Sequence, residues 1–241
     1  MVVMHRPDWK FDENLFVQLE RLKSAAASGD DEASYILAMN LRYCYHGPID
    51  DIALEKKLEQ AYEFGDSERA VGRIIEKYEY CSGITNKQRG QFYSYFESAA
   101  NNKNVAAQEV IGRTTPEFFM EFQGYKNLGR NEYIQMRDNF ITQKIEFLEQ
   151  AGKNGSIRAL IKLSSMNRSQ NFGANGYVKS FAFNQLILEL TPDNKLYNRY
   201  SWFQDKLYSQ LSSEEIDTAF AMYDEWLETI TTSGTLYLNR N

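Results

Sequence analysis

The sequence predicts an all-α fold, an α-α superhelix (solenoid) of about four helix pairs that ends in C-terminal capping helices. Two observations predict it. First, four stretches share one pattern, in which an apolar residue, an Ala and a Gly or its substitute follow at fixed spacing. Second, no stretch sustains the alternation of apolar and polar residues that marks β-strands. The four stretches start at Leu22, Leu58, Phe96 and Leu148 and end at Gly29, Gly65, Lys103 and Gly155.

The spacing inside and between these stretches is that of paired helices. Their Ala residues, at positions 25, 61, 99 and 151, recur after 36, 38 and 52 residues, close to the period of helix–turn–helix solenoids. Gly suits the end of the first helix, where a left-handed residue is needed. A second Ala, at 33, 70, 107 and 159, then opens the partner helix, with an apolar residue four positions later on the same face.

Composition and charge limit the classes of protein to which this chain can belong. The chain has 241 residues, of which 43% are hydrophobic and 25% charged, as expected for a globular protein. Its net charge of −6 argues against general nucleic-acid binding and is compatible with a basic protein partner. No apolar run approaches the ~18 residues of a membrane span, so membrane insertion is not expected. The N-terminus lacks the apolar region of a signal peptide.

The repeated pattern resembles the Sel1-like repeat, a relative of the tetratricopeptide repeat. Residues 25–38 read Ala-Ala-x-x-Gly-Asp-x-x-Ala-x-x-x-Leu-Ala, Tyr78 stands at the family's Tyr position, and residues 173–182 look like its glycine-rich loop. The resemblance covers residues 15–190. Lys103 departs from it by replacing a Gly, and extra residues interrupt the third repeat. The resemblance implies a non-enzymatic scaffold that binds another protein.

The predicted organisation has three parts. Residues 1–11 form an irregular lead-in, residues 12–190 form the repeat domain with an insert near 113–131, and residues 191–241 form capping helices and a tail. Ser212 and Glu215 make a capping box, which predicts the start of the last helix.

Cys44 and Cys81 are a candidate disulfide, because they occupy equivalent positions in adjacent repeats. Neighbouring helices lie about 8–10 Å apart, whereas a disulfide needs Cα atoms within roughly 7 Å. Since both residues lie near helix ends, a disulfide and a pair of reduced thiols both remain open. Some Sel1-like proteins are exported and carry disulfides. The resemblance therefore implies the periplasm if a leader was removed and the bond forms, and otherwise the cytoplasm.

The insert carries four aromatic residues that are candidates for partner contact: Phe118, Phe119, Phe122 and Tyr125. They either cover an inner face where the repeat departs from its pattern or form an exposed apolar contact loop. No catalytic, cofactor-binding or metal-binding residue is predicted. His5 and His46 are the only histidines, no Ser/His/Asp or Cys/His pattern is visible, and no phosphate-binding glycine motif occurs.

The leading functional hypothesis is therefore a protein–protein interaction scaffold. It would act as an adaptor or, from the resemblance, as an immunity-type inhibitor, through its concave face or the insert. One alternative is a self-assembling element that pairs through the apolar stripe of the last helix. Another is an enzyme-like pocket inside the superhelix, which would need clustered polar residues that the sequence does not show.

Overall fold

The computed structural model describes residues 1–169 and 175–239. It is built almost entirely of helices, which confirms the all-α prediction. The chain divides into two compact units, which we call the N-terminal unit (Pro7–Ala107) and the C-terminal unit (Met1–Arg6 with Gln108–Asn241).

Helices follow one another with short connections. Along the chain they are α1 (Leu15–Ala27), α2 (Asp31–Tyr45), α3 (Asp51–Glu63), α4 (Glu68–Tyr80), α5 (Asn86–Arg89), α6 (Phe92–Asn101), α7 (Val105–Arg113), α8 (Pro116–Phe122), a 3-10 turn (Tyr125–Asn127), α9 (Arg130–Lys153), α10 (Ile157–Arg168), α11 (Gly176–Leu190), α12 (Asn194–Tyr208) and α13 (Ser213–Ser233). Two short strands stand at the ends, β1 (Val2–Met4) and β2 (Thr235–Tyr237).

The four aligned turns have the same backbone conformation. The residues that end the pattern are Gly29, Gly65, Lys103 and Gly155, with φ angles of 94°, 68°, 69° and 78°. In each turn the next residue donates its N–H to the carbonyl of the pattern's first Ala, a closure typical of helices that finish with a left-handed residue. The N–H of the second Ala donates to the side chain of an Asp, Ser or Asn N-cap. Lys103 therefore adopts the glycine conformation.

In the N-terminal unit, α2 packs against α1 on one side and α6 on the other. The core between them is aliphatic and aromatic because these helices carry apolar residues at helical spacing. Its fully buried members include Leu15, Leu19, Leu37, Leu41, Phe92 and Phe96. The α3–α4 hairpin is less buried, since Ala61 is the only buried residue of α3.

In the C-terminal unit, α11 lies at the centre and packs against α10, α12 and α13. It is apolar on nearly all sides, as expected for a helix with neighbours all round. Small polar residues sit where α10 meets α11: Ser164 donates to Asn184 at 2.6 Å and lies 3.3 Å from Ser180. The capping box of Ser212 and Glu215 is present at the start of α13, as predicted.

The N- and C-terminal ends of the chain pair as a two-stranded parallel sheet, in which Val2 lies opposite Thr235. Gly155 lies close against β2 because it has no Cβ. A Cβ at this position would overlap the carbonyl oxygen of Thr235. Arg6, just after β1, donates to both oxygens of buried Glu109 at 2.7 and 2.6 Å and to the carbonyl of Leu238 at 2.7 Å. Residues 1–6 of the lead-in thus belong to the C-terminal unit and include a strand, so the lead-in is not irregular throughout.

Two other segments show structure that the sequence pattern did not specify. Two short helices precede the third aligned turn, since α5 ends at Arg89 and α6 begins at Phe92. The insert is not irregular: Thr115 caps α8, with Pro116 at its first turn, and the 3-10 turn follows. Of residues 173–182, which resemble the family's glycine-rich loop, 173 and 174 lie outside the described residues.

Candidate interaction surface

Cys44 and Cys81 are joined by a disulfide in the N-terminal unit, with their Cα atoms 5.5 Å apart. Cys44 is the penultimate residue of α2, and Cys81 caps the C-terminus of α4. The bond therefore connects two helix ends. There the Cα atoms can approach more closely than the roughly 8–10 Å that separate the axes of packed helices. Both residues are fully buried.

A buried arginine holds the backbone around this disulfide. Arg89 is 2% exposed, and its guanidinium donates to the carbonyls of Cys44 at 3.0 Å, Pro48 at 2.8 Å, Cys81 at 3.1 Å and Ile84 at 3.0 Å. Burial lowers the pKa of Arg89, yet a guanidinium stays charged in proteins. This arrangement is structural, since Nε, Nη1 and Nη2 all donate to backbone carbonyls.

The four aromatic residues predicted in the insert lie in α8 and in the 3-10 turn, and all are half-buried. Phe119 stacks on Phe140 of α9 with ring centroids 4.0 Å apart, and it also contacts Tyr125 at 6.1 Å. Phe118 and Phe122 stack on each other at 6.1 Å. Phe119 thus contributes to the packing of α8 on α9, and more exposed aromatic side chains lie elsewhere.

Helix α12 presents such a surface. Leu196, Tyr200 and Leu207 bury one side of the helix, and a neighbouring side carries Lys195, Arg199, Trp202 and Lys206 at positions i, i+4, i+7 and i+11. That spacing places the four side chains along one stripe of a helix. Trp202 is 55% exposed. We call these four residues the α12 stripe.

Aromatic rings and cations alternate at the α12 stripe. Trp202 contacts Phe203 edge to face at 5.2 Å, and the Lys206 ammonium lies 5.7 Å from the Trp202 ring centroid. The guanidinium carbons of Arg168 and Arg199 lie 3.7 and 5.7 Å from the Phe203 ring centroid. Arg168 comes from the end of α10, so two helices supply the cations.

In the part of the chain that the structure describes, these cations have no acidic partner. Among the described residues, no carboxylate oxygen lies within 4.0 Å of a charged nitrogen of Arg168, Arg199 or Lys206. Nη1 of Arg168 is buried and has no hydrogen-bond partner in the same part of the chain. Burial raises the pKa of Tyr200, while the charges of Arg199 and Arg168 act to lower it. Both arginines thus contribute positive potential at one buried phenol.

Cavities lie elsewhere in both units. One of about 370 Å³ in the N-terminal unit is lined by Lys10, Asn14, Glu76 and Glu79, and Lys10 forms an ion pair with Glu76 inside it. The other, of about 260 Å³ in the C-terminal unit, has Phe183 and Trp226 in its wall and Lys153 and Lys179 at its edge. Their lining is partly polar in both cases, and neither brings the predicted aromatic residues together.

The described residues contain no group of three or more His, Cys, Asp and Glu side chains that could hold a metal ion. Within the same residues, every helix is too short or too polar to cross a membrane. His46 caps the end of α2, and burial lowers its pKa. His5 lies next to β1, so the two histidines belong to different units.

No protein-family model, curated protein or solved structure matches this chain. The candidate surface therefore depends on its own geometry alone.

Sequence reasoning missed the α12 stripe, although part of its signal was available. Lys195, Arg199, Trp202 and Lys206 follow helical spacing that can be read directly from the sequence. Arg168 could not have been added in that way, because its contact with Phe203 depends on how α10 packs in the unit.

Proposed function

We propose that this chain is a non-enzymatic binding protein that holds a partner protein through the α12 stripe. The observation that carries the proposal is Trp202, which is 55% exposed and lies beside Phe203 and cations that have no carboxylate partner among the described residues. Trp and Arg are the residues most enriched where truncation to Ala costs a protein interface its affinity. A solvated tryptophan gains stabilisation when a partner covers it.

We also propose that the four aligned turns belong to Sel1-like helix pairs. The shared left-handed conformation at Gly29, Gly65, Lys103 and Gly155 supports this. So does the hydrogen bond that recurs in each turn, from the N–H of the second Ala to the side chain of the N-cap residue. A protein of this class acts by presenting a rigid helical surface, because each pair is held by its neighbours. It needs no reactive group for that role.

The test is capture of a partner by purified protein immobilised as bait, from an extract of the source organism. Three baits are compared: the wild type, Trp202→Ala, and Phe64→Ala as a matched control. Phe64 is 84% exposed and lies in the other unit, at the end of α3. We expect one stoichiometric protein with the wild type and with Phe64→Ala, and its loss with Trp202→Ala.

Equal recovery with all three baits would contradict a role for Trp202, and recovery of the bait alone would contradict the proposed function. The second result would favour self-assembly through the exposed side of α13, on which Phe220 is 41% exposed. Light scattering of the purified protein over a range of concentrations then checks self-assembly directly. The activity of a captured partner decides between an adaptor and an immunity-type inhibitor.

A further inference from the structure

The α12 stripe and Arg168 form a positive surface on an acidic protein. The chain has a net charge of −6, yet α12 carries Lys195, Arg199 and Lys206 with Asp205 as its only acidic residue. Screening in physiological salt confines the influence of a charge to about 8 Å. A ligand at α12 is therefore affected by these nearby cations rather than by the net charge of the chain.

The cations are gathered around two rings instead of being paired with acids. Arg168 and Arg199 share Phe203, and Lys206 lies over Trp202, which itself contacts Phe203. Like charges that converge on one site repel each other, so an anion that binds among them relieves that repulsion. The rings hold the guanidinium groups by cation–π contact, which leaves their N–H edges to donate.

Arg168 adds a guanidinium from a second helix. Its Nη1 is buried, with no hydrogen-bond partner in the described part of the chain, so only the other N–H groups of this half-buried side chain can meet a ligand. The guanidinium lies 3.7 Å from the centroid of Phe203, so one face is covered. Carboxylates match the fork of guanidinium donors in both geometry and charge.

We infer that the partner meets the α12 stripe with an acidic segment, in which Asp or Glu carboxylates accept hydrogen bonds from Arg199, Arg168 and Lys206. An apolar side chain of the same segment covers Trp202. This inference rests on the proposed function and adds the chemistry of the partner. It replaces, for this surface, the basic partner expected from net charge. A phosphate backbone shares the negative charge, and the test below separates it from carboxylates.

The experiment measures binding of labelled probes by fluorescence anisotropy to the full chain. The probes are an oligoglutamate peptide with a central leucine, the corresponding oligolysine peptide and a single-stranded oligothymidylate. The wild type is compared with the double variant Arg199→Gln, Lys206→Gln. The matched control is Lys153→Gln, Lys179→Gln, which removes the same charge from the edge of the 260 Å³ cavity. All four side chains are exposed, so each variant should fold, and circular dichroism checks that it does.

We expect the wild type and the control to bind the oligoglutamate peptide in preference to the other two probes. The Arg199→Gln, Lys206→Gln variant should lose about fivefold or more in affinity, since each exposed ion pair contributes a modest share. Added salt should weaken binding to the wild type.

Three results would overturn the inference: equal affinity of both double variants for the glutamate peptide, tighter binding of the oligothymidylate, or no binding of the peptide by the wild type. If a partner is still captured through Trp202 in any of these cases, the proposed function stands and only the acidic chemistry fails. If the peptide binds but no partner is captured, the proposed function fails instead.

Discussion

Nη1 of Arg89 lies 3.0 Å from the carbonyl oxygen of Cys44. Nη2 of the same guanidinium lies 3.1 Å from the carbonyl of Cys81, the residue to which Cys44 is bonded through sulfur. One buried cation and one covalent bond thus hold the same two helix ends. Their contributions to stability can be measured separately, by mutating Arg89 and by reducing the disulfide, because Arg89 donates its hydrogen bonds to backbone carbonyls and not to the sulfur atoms.

Replacing Arg89 with Leu should lower the free energy of unfolding by about 3 kcal/mol, because several buried carbonyls lose their donor together. Arg89→Lys should recover part of this, since an ammonium has fewer donors and lacks the planar fork. Urea denaturation followed by circular dichroism measures both. Lys87→Ala, on the exposed side of the same short helix, is the control and should change stability by less than about 0.5 kcal/mol. A similar loss in Arg89→Leu and Lys87→Ala would contradict this role.

Reducing the Cys44–Cys81 disulfide should destabilise the N-terminal unit. The bond spans a sequence separation of 37, for which the chain-entropy estimate is about 4 kcal/mol. Hydrogen exchange read by mass spectrometry, with and without reductant, should show faster exchange in α2 and α4 and an unchanged α11. The Cys44→Ala, Cys81→Ala variant controls for the reductant, which should then have no effect. Identical exchange of the oxidised and reduced wild type would show that the bond does not stabilise these helices.

Lys103→Gly should stabilise the protein by about 0.5–1 kcal/mol. Lys103 has a φ of 69°, and a left-handed conformation costs a residue with a Cβ about 1–2 kcal/mol, part of which is offset by the greater freedom of Gly in the unfolded chain. Thermal unfolding of Lys103→Gly and of Lys103→Ala distinguishes backbone from side-chain effects. The Ala variant keeps its Cβ and should match the wild type. Stabilisation by both would mean that the lysine side chain is responsible.

Because of Lys144, the free energy of unfolding should increase at alkaline pH. It is 4% exposed and donates to the Thr114 carbonyl at 2.5 Å. Burial, reinforced by the charge of Lys162 and opposed by that of Glu117, lowers the pKa of its ammonium from 10.5 to about 8. Between these values the folded protein holds fewer protons than the unfolded chain, so stability should rise with pH, by up to about 3 kcal/mol. Below pH 8 the ammonium is charged in both states and the cost of burying it is fully present.

The pH effect is measured as the difference in unfolding free energy between the wild type and Lys144→Met at pH values from 7 to 10.5, the window set by the shifted pKa. That difference should move in favour of the wild type as pH rises. Lys126→Met is the control, because the Lys126 side chain is 60% exposed, and its difference from the wild type should stay flat. A flat difference for Lys144→Met as well would contradict the shifted pKa.

The sequence was most informative where structure is local. The turns after Ala25, Ala61, Ala99 and Ala151 could be predicted because a left-handed residue and an N-cap leave a short-range pattern. That pattern even identified Lys103 as a residue in a glycine position. The capping box before α13 is local in the same sense.

What the sequence did not reveal depends on residues that are distant along the chain. Val2 pairs with Thr235 in a three-residue strand, and so short a segment has no periodicity to detect. Arg89 belongs to no pattern in the sequence, since its carbonyl partners are not encoded by residue type. The contact of Arg168 with Phe203 likewise depends on helix packing.

The central claim is that a partner protein lies against Trp202. Its most direct test is site-specific photo-crosslinking, with benzoylphenylalanine introduced at position 202 and, as a control, at position 64 in the full-length protein in its source cells. Phe64 is the more exposed of the two side chains, at 84% against 55%. We expect one crosslinked product of defined mass, containing a second protein, from position 202 and not from position 64. The same products from both positions, or only a crosslinked dimer of this chain, would contradict the account.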